Sequence, residues 1–167
     1  MGGDIKVTSE VGRGSVFSFD ILAVTGSEAD LVEKVPKRRV SGIEPGQEDF
    51  RILIVEDRPE NRRLLNQLLE SVGFAVREAV NGKEGVEIWE SWEPHLVWMD
   101  MRMPVMNGYE ATKQIKATVK GQATVVVALT ASVFEEQRSL VLSAGCDDFV
   151  RKPFREHEIF DVMTKYL

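Results

Sequence analysis

From Phe50 onward the chain alternates short apolar runs with stretches of helical periodicity, and this alternation restricts the fold more than any other feature. The runs are "RILIV" (51–55), "FAVREA" (74–79), "HLVWM" (95–99), "TVVVAL" (124–129) and "DFV" (148–150). Between the first two, Leu64, Leu65, Leu68, Leu69 and Val72 fall on one helical face, which Gly73 ends. Val86 with Trp89, Ile115 with the preceding turn, and Leu140 with Val141 and Ala144 mark three more helices, and Ile159, Val162, Met163 and Tyr166 mark a fifth. Strands apolar at nearly every position are covered on both faces, which implies a parallel sheet between helix layers. The expectation is an α/β, doubly wound, five-stranded parallel sheet, built from five βα units in about 118 residues.

Residues 1–23 follow a different rule. Ile5 and Val7 alternate with polar residues, as do Phe17, Phe19 and Ile21 opposite Ser18 and Asp20, and the Gly-bearing "SEVGRG" lies between them. That pattern predicts a β-hairpin. Residues 24–49 mix charge, Pro, Gly and Ser without periodicity and read as a mobile linker, leaving 50–167 as the main domain.

Composition removes several function classes. A net charge of -6 argues against nucleic acid, which needs a clustered excess of Lys and Arg; the one basic run, "PKRRV" (36–40), reads as solvated linker. No apolar stretch approaches the ~18 residues of a membrane span, and no signal peptide is visible at Met1, so no membrane contact is expected. The single cysteine, Cys146, cannot form an internal disulfide and reads as a small packed residue in a reducing cytoplasm.

In a doubly wound sheet, active groups collect beyond the carboxyl ends of the strands, where the strand order reverses. The first run ends in Glu56-Asp57, the third in Asp100, the fourth in Thr130 and the fifth in Lys152, followed by Pro153. With the order 2-1-3-4-5, three carboxylates meet in one shallow pocket. Like charges ~4 Å apart repel by several kcal/mol near a protein surface, so a positive partner is needed. An all-oxygen cluster open to water suits Mg²⁺, or alternatively Mn²⁺, completed by waters and a substrate phosphate. Lys152 supplies a point charge and Thr130 a hydroxyl for a phosphoryl group, both placed on the far side of Asp100 from the acidic pair. Asp100 then reads as the nucleophile that forms an acyl phosphate.

The stretches "ILIVEDRPENRRLLNQLLESVGF", "MDMRMPVMNGYEATKQIK", "ALTAS" and "AGCDDFVRKPF" closely resemble the receiver domain of two-component response regulators, a flavodoxin-like fold. The resemblance spans about residues 50–167. It implies that Asp100 is the phosphoacceptor, that Asp57 binds Mg²⁺ directly with Glu56 helping through water, and that Arg102 offers the metal its backbone carbonyl. It also implies that Thr130 and Lys152 contact the phosphoryl group and that Thr130 and Phe149 form a switch, with Arg102 and Ser132 tuning the acyl-phosphate lifetime.

Each residue has a plainer reading. Glu56, Asp57 or Asp100 taken singly would cap a turn or helix; Thr130 could cap the helix near Ser132; Lys152 could be a surface charge, although Pro153 fixes its backbone and could be cis. Phe149 could be simple core. Met99, Met101, Met103 and Met106 read as packing, since thioethers suit hard cations poorly. His95 reads as a loop residue, and His157 as a surface residue of the last helix. Gly12-Arg13-Gly14 lacks the Lys-Ser/Thr and helix of a phosphate loop.

"MGGDIKVTSEVGRGSVFSFDI" resembles the closing strands of the ATP-binding domain of sensor histidine kinases. Kinase end, linker and receiver in that order imply the carboxyl-terminal piece of a hybrid histidine kinase, without the ATP-binding or His-acceptor elements, catalysing only its own phosphorylation and dephosphorylation. The implied partners are a kinase dimerisation and phosphoacceptor domain as donor and a His-containing phosphotransfer protein as recipient. The exposed hairpin strands add the possibility of a homodimer. Two other functions compete: an Asp-nucleophile phosphatase, which wants an acid where Arg102 stands, and a pseudo-receiver that binds partners without phosphorylation.

Overall fold

In the computed structural model, which describes residues 3–21, 40, 42–43, 50–131 and 135–167, the chain forms two units, Met1–Lys37 and Arg38–Leu167. In the first, β1 (Ile5–Glu10) pairs antiparallel with β2 (Gly14–Phe19), Ile5 opposite Phe19 and Val7 opposite Phe17. The two strands therefore carry these four apolar side chains on one face. Gly12 and Gly14 take positive φ in the turn, which glycine enters without a Cβ clash.

The second unit holds β3 (Arg51–Val55), α1 (Pro59–Glu70), β4 (Ala75–Ala79), α2 (Gly82–Trp92), β5 (Leu96–Asp100), α3 (Gly108–Lys116), α4 (Val119–Ala123), β6 (Val125–Thr130), α5 (Glu135–Ser143), β7 (Asp148–Arg151) and α6 (Glu156–Tyr166). The sheet order is β4-β3-β5-β6-β7, all parallel, which is the expected 2-1-3-4-5.

The apolar runs bury both faces because alternate side chains enter different cores. Leu53, Val55, Val97, Met99, Val126 and Ala128 pack with Trp89, Ala111, Ile115 and Val141 beneath α2, α3 and α5. Ile52, Ile54, Leu96, Trp98, Val127 and Leu129 pack with Leu65, Leu69, Ile159, Phe160 and Met163 beneath α1 and α6. Each Val, Leu, Ile, Phe or Met among them contributes about 1.5–3 kcal/mol. Helix starts are set locally: Pro59 opens α1, while Asn81, Asn107 and Thr118 accept the backbone N–H three residues on at the starts of α2, α3 and α4.

Three expectations need correction. The segment 74–79 is not covered on both faces: β4 is a sheet edge and alternates, with Ala75 and Arg77 exposed. Leu64 and Leu140 do not join the buried stripes but stay 55% and 58% exposed, because the stripes run through Leu65 and Leu69 and through Val141 and Ala144, about 100° away. A sixth helix, the short α4, arises from the Thr118 cap. Residues 24–49 lie mostly outside the described ones, but Ile43 donates its N–H to the Val72 carbonyl at 3.2 Å, so the main domain is contacted from before residue 50. The predicted packing of Met99, Met101, Met103 and Cys146 is observed. Among the described residues no helix is long and apolar enough to cross a membrane.

Candidate active site

The parallel sheet delivers Glu56 and Asp57 from the end of β3, Asp100 from the end of β5, Thr130 from β6 and Lys152 from the residue after β7 to one edge. One carboxylate oxygen each from Glu56, Asp57 and Asp100 lie within 4.8 Å of one another. Asp57, Asp100, Arg102, Thr130 and Lys152 line a cleft of about 470 Å³ that also receives Asn61. Glu56 is fully buried and Asp100 and Thr130 nearly so, whereas Asp57 is half-buried.

Each buried carboxylate has its own partners. The Arg58 N–H and Asn61 Nδ2 donate to Glu56 Oε1, both at 3.3 Å, and Lys152 Nζ donates to Glu56 Oε2. Lys152 Nζ also lies 2.8 Å from Asp100 Oδ2, while the Arg102 N–H donates to Asp100 Oδ1 at 3.1 Å. Lys152 therefore stands between Glu56 and Asp100, not on the far side of Asp100 as the sequence suggested. The reason is reach: its four-carbon stem spans from the β7 end across Asp100 to the acidic pair. Burial pushes the Glu56 carboxyl above its ordinary value; the Lys152 bond opposes this and the Asp100 charge reinforces it.

The donor set fits a small hard cation. It is all oxygen, and octahedral Mg²⁺ with ligands at ~2.1 Å needs oxygens roughly 3–4 Å apart, close to the observed clustering. Both oxygens of Glu56 and both of Asp100 have partners within the protein, whereas the half-buried Asp57 lines the cleft; a metal drawing on Asp100 would share its oxygens with Lys152 and the Arg102 N–H.

Other expected residues fall outside this cluster. Phe149 is half-buried against the core under α5, with the Arg138 guanidinium 5.7 Å from its ring centre. The Lys152-Pro153 bond is cis. His95 accepts the Arg51 N–H on Nδ1 at 3.0 Å, a loop role as anticipated, and His157 lies half-buried on α6. Ser132 lies outside the described residues.

Sequence reasoning missed Asn61, Arg62 and Gly108. Asn61 and Arg62 stand in the second half of "EDRPENR", where only the helical turn from Pro59 brings them back over the acidic pair. Gly108 packs so closely that a Cβ there would lie 2.2 Å from the Asp100 carbonyl oxygen; the Asn-Gly after the Met-Pro loop was its signal.

The comparisons with known proteins agree with this geometry. The aerobic respiration control sensor protein ArcB of Escherichia coli is 32% identical over 171 residues, which take in 99% of this chain and 21% of ArcB, so the chain spans about a fifth of that relative's length. The receiver domain of the sensor histidine kinase PA1611 from Pseudomonas aeruginosa, solved with magnesium in its active-site cleft, is 33% identical with a TM-score of 0.67, over 71% of this chain and 98% of that one. The receiver domain of Ssk1 from Saccharomyces cerevisiae, crystallised with the histidine phosphotransfer protein Ypd1, is likewise 33% identical with a TM-score of 0.67, over 71% and 88%. The family model for the response regulator receiver domain matches residues 52–164, and by sequence, sheet order and the acidic cleft the chain belongs to the receiver domains of two-component signal transduction.

Proposed function

We propose that this receiver takes a phosphoryl group from a phosphohistidine onto Asp100 and passes it to a His-containing phosphotransfer protein. The observation that carries the reading is the seating of Asp100: one oxygen on Lys152, the other on the Arg102 N–H, and two further carboxylates alongside. An Asp100 oxygen attacks phosphorus as the P–N bond to the donor imidazole breaks, and the bonding pair leaves with the imidazole nitrogen. Lys152 and the Thr130 hydroxyl hold the transferring oxygens. Asp57, Asp100 and the Arg102 carbonyl would hold Mg²⁺, or Mn²⁺ in its place, with Glu56 acting through water; the metal would neutralise charge on the phosphoryl oxygens.

Thr130 moving toward the phosphoryl group would let Phe149 turn inward from beneath Arg138, shifting the population between two packings. The alignment with ArcB along nearly the whole chain supports a hybrid kinase as parent, with β1 and β2 as the last strands of its ATP-binding domain and the kinase phosphoacceptor domain as donor. The Ssk1 complex with Ypd1 supports the choice of recipient.

The test is incubation with Mg²⁺ and acetyl phosphate followed by intact-mass analysis. Wild type should gain one phosphoryl group and Asp100→Asn none; Asp57→Asn should lose the metal dependence. Equal adducts on wild type and Asp100→Asn, or none on either, would overturn the reading.

A further inference from the structure

We propose that Arg62, braced by Glu78 and Asn66, is the positioning residue that fixes the backbone of the acidic pair for metal binding; this rests on the phosphoreceiver reading above. Glu56 and Asp57 occupy the short connection between β3 and α1, where the Glu56 N–H donates to the Ala79 carbonyl of β4 at 3.1 Å. Their carbonyls are held from the helix. Arg62 Nη1 donates to the Glu56 carbonyl at 2.9 Å and reaches the Asp57 carbonyl at 3.5 Å.

The same guanidinium is anchored behind. Arg62 Nε donates to Glu78 Oε2 at 3.0 Å, and Asn66, one turn further along α1, donates to the other Glu78 oxygen. Arg62 is only 16% exposed. Glu78 stands on β4 opposite Ile54 in register, two residues after Val76, which packs into the core beneath α1. Strand alternation thus puts a carboxylate on the α1 side of the sheet edge, where it costs desolvation unless it is paired. Here it is paired by two α1 side chains, and the guanidinium turns its Nη1 donor to the acidic pair. Burial, Lys152, Asp100 and Asn61 act on the Glu56 carboxyl, whereas Arg62 reaches main-chain oxygens. Its role is to place the chain from which the ligands project, not to alter their charge. Mg²⁺ tolerates little departure from octahedral geometry, so a loosened turn weakens binding.

Mg²⁺ is titrated calorimetrically into wild type, Arg62→Met, Arg62→Lys, Glu78→Gln and Asp57→Asn, each also melted in chelator. Arg62→Met should weaken Mg²⁺ about tenfold, and Arg62→Lys nearly as much, since an ammonium cannot span Glu78 and both carbonyls together. With acetyl phosphate, half-saturating Mg²⁺ should rise about tenfold while the rate at saturating Mg²⁺ stays within about twofold. A Kd within about twofold of wild type in folded Arg62→Met, however far its melting point falls, would overturn the proposal; so would full rescue by Arg62→Lys, which would assign the effect to charge. Should Arg62→Met not fold, Glu78→Gln decides: about threefold weaker Mg²⁺ supports the brace and an unchanged Kd overturns it. Failure of wild type to bind Mg²⁺, or Asp57→Asn binding like wild type, would instead remove the metal reading and the brace with it.

Discussion

Lys152 Nζ sits 2.8 Å from Asp100 Oδ2 and bonds Glu56 Oε2 as well, so one ammonium ties the chain after β7 to the ends of β3 and β5. Removing it leaves two buried carboxylates facing one another, and breaking a buried pair in this way costs about 3 kcal/mol or more. Lys152→Met should therefore be that much less stable in chelator by urea denaturation. The same loss removes a positive charge from beside the acidic cluster proposed to hold the metal, so added Mg²⁺ should stabilise Lys152→Met by more than it stabilises wild type. Equal Mg²⁺ increments in the two proteins would show that Lys152 and the metal do not share the site's negative charge.

Glu56 makes stability depend on pH in a direction opposite to most carboxylates. Burial raises its folded pKa above the ordinary 4.5, with Lys152 opposing and Asp100 reinforcing. A raised folded pKa means that the folded state holds the proton more tightly than the unfolded chain. The group's contribution is thus fully present below about 4.5 and is lost as pH rises through the folded value. Glu56→Gln stays neutral throughout. The stability of Glu56→Gln relative to wild type, measured without metal from pH 4 to 8, should therefore rise with pH; a flat difference would mean that the carboxyl is not perturbed in the folded protein.

Much of this site was legible because parallel strands end in register: once five apolar runs were recognised, the residues after each had to share an edge. What stayed hidden depended on side-chain direction. Lys152 sits at the expected strand end, yet nothing in "VRKPF" says that its stem crosses Asp100 to reach Glu56. Arg62 went unremarked in the sequence, because only the pairing of β4 beside β3 puts Glu78 within its reach. Leu64 and Leu140 misled for a related reason, since a run of adjacent leucines marks a helix without saying which of them faces the sheet.

Gly108 connects α3 to Asp100. A Cβ at this position would meet the Asp100 carbonyl oxygen at 2.2 Å and the Met101 Cα at 2.9 Å, both of them main-chain atoms that cannot rotate away. Gly108→Ala must therefore move either α3 or the end of β5. The expected cost is about 2–3 kcal/mol by urea denaturation, as for overpacking elsewhere. Because Asp100 itself is displaced, phosphorylation by acetyl phosphate should slow at least tenfold even in the folded fraction. A folded Gly108→Ala that is labelled at the wild-type rate would show that the loop absorbs the methyl without disturbing Asp100.

Val105 carries a strained backbone in the loop that follows Asp100. Its φ is +71°, and the Met106 N–H donates to the Pro104 carbonyl at 2.9 Å, which closes a three-residue γ-turn in its rare positive-φ form. A β-branched residue is poorly suited to that region, and the side chain is 80% exposed, so little burial offsets the strain. Asparagine tolerates positive φ far better and, unlike glycine, does not add much freedom to the unfolded chain. Val105→Asn should accordingly stabilise the protein by about 1 kcal/mol in urea denaturation. If the measured stability falls instead, the valine methyls are being held by packing that outweighs the strain, and the loop is less free to solvent than its exposure indicates.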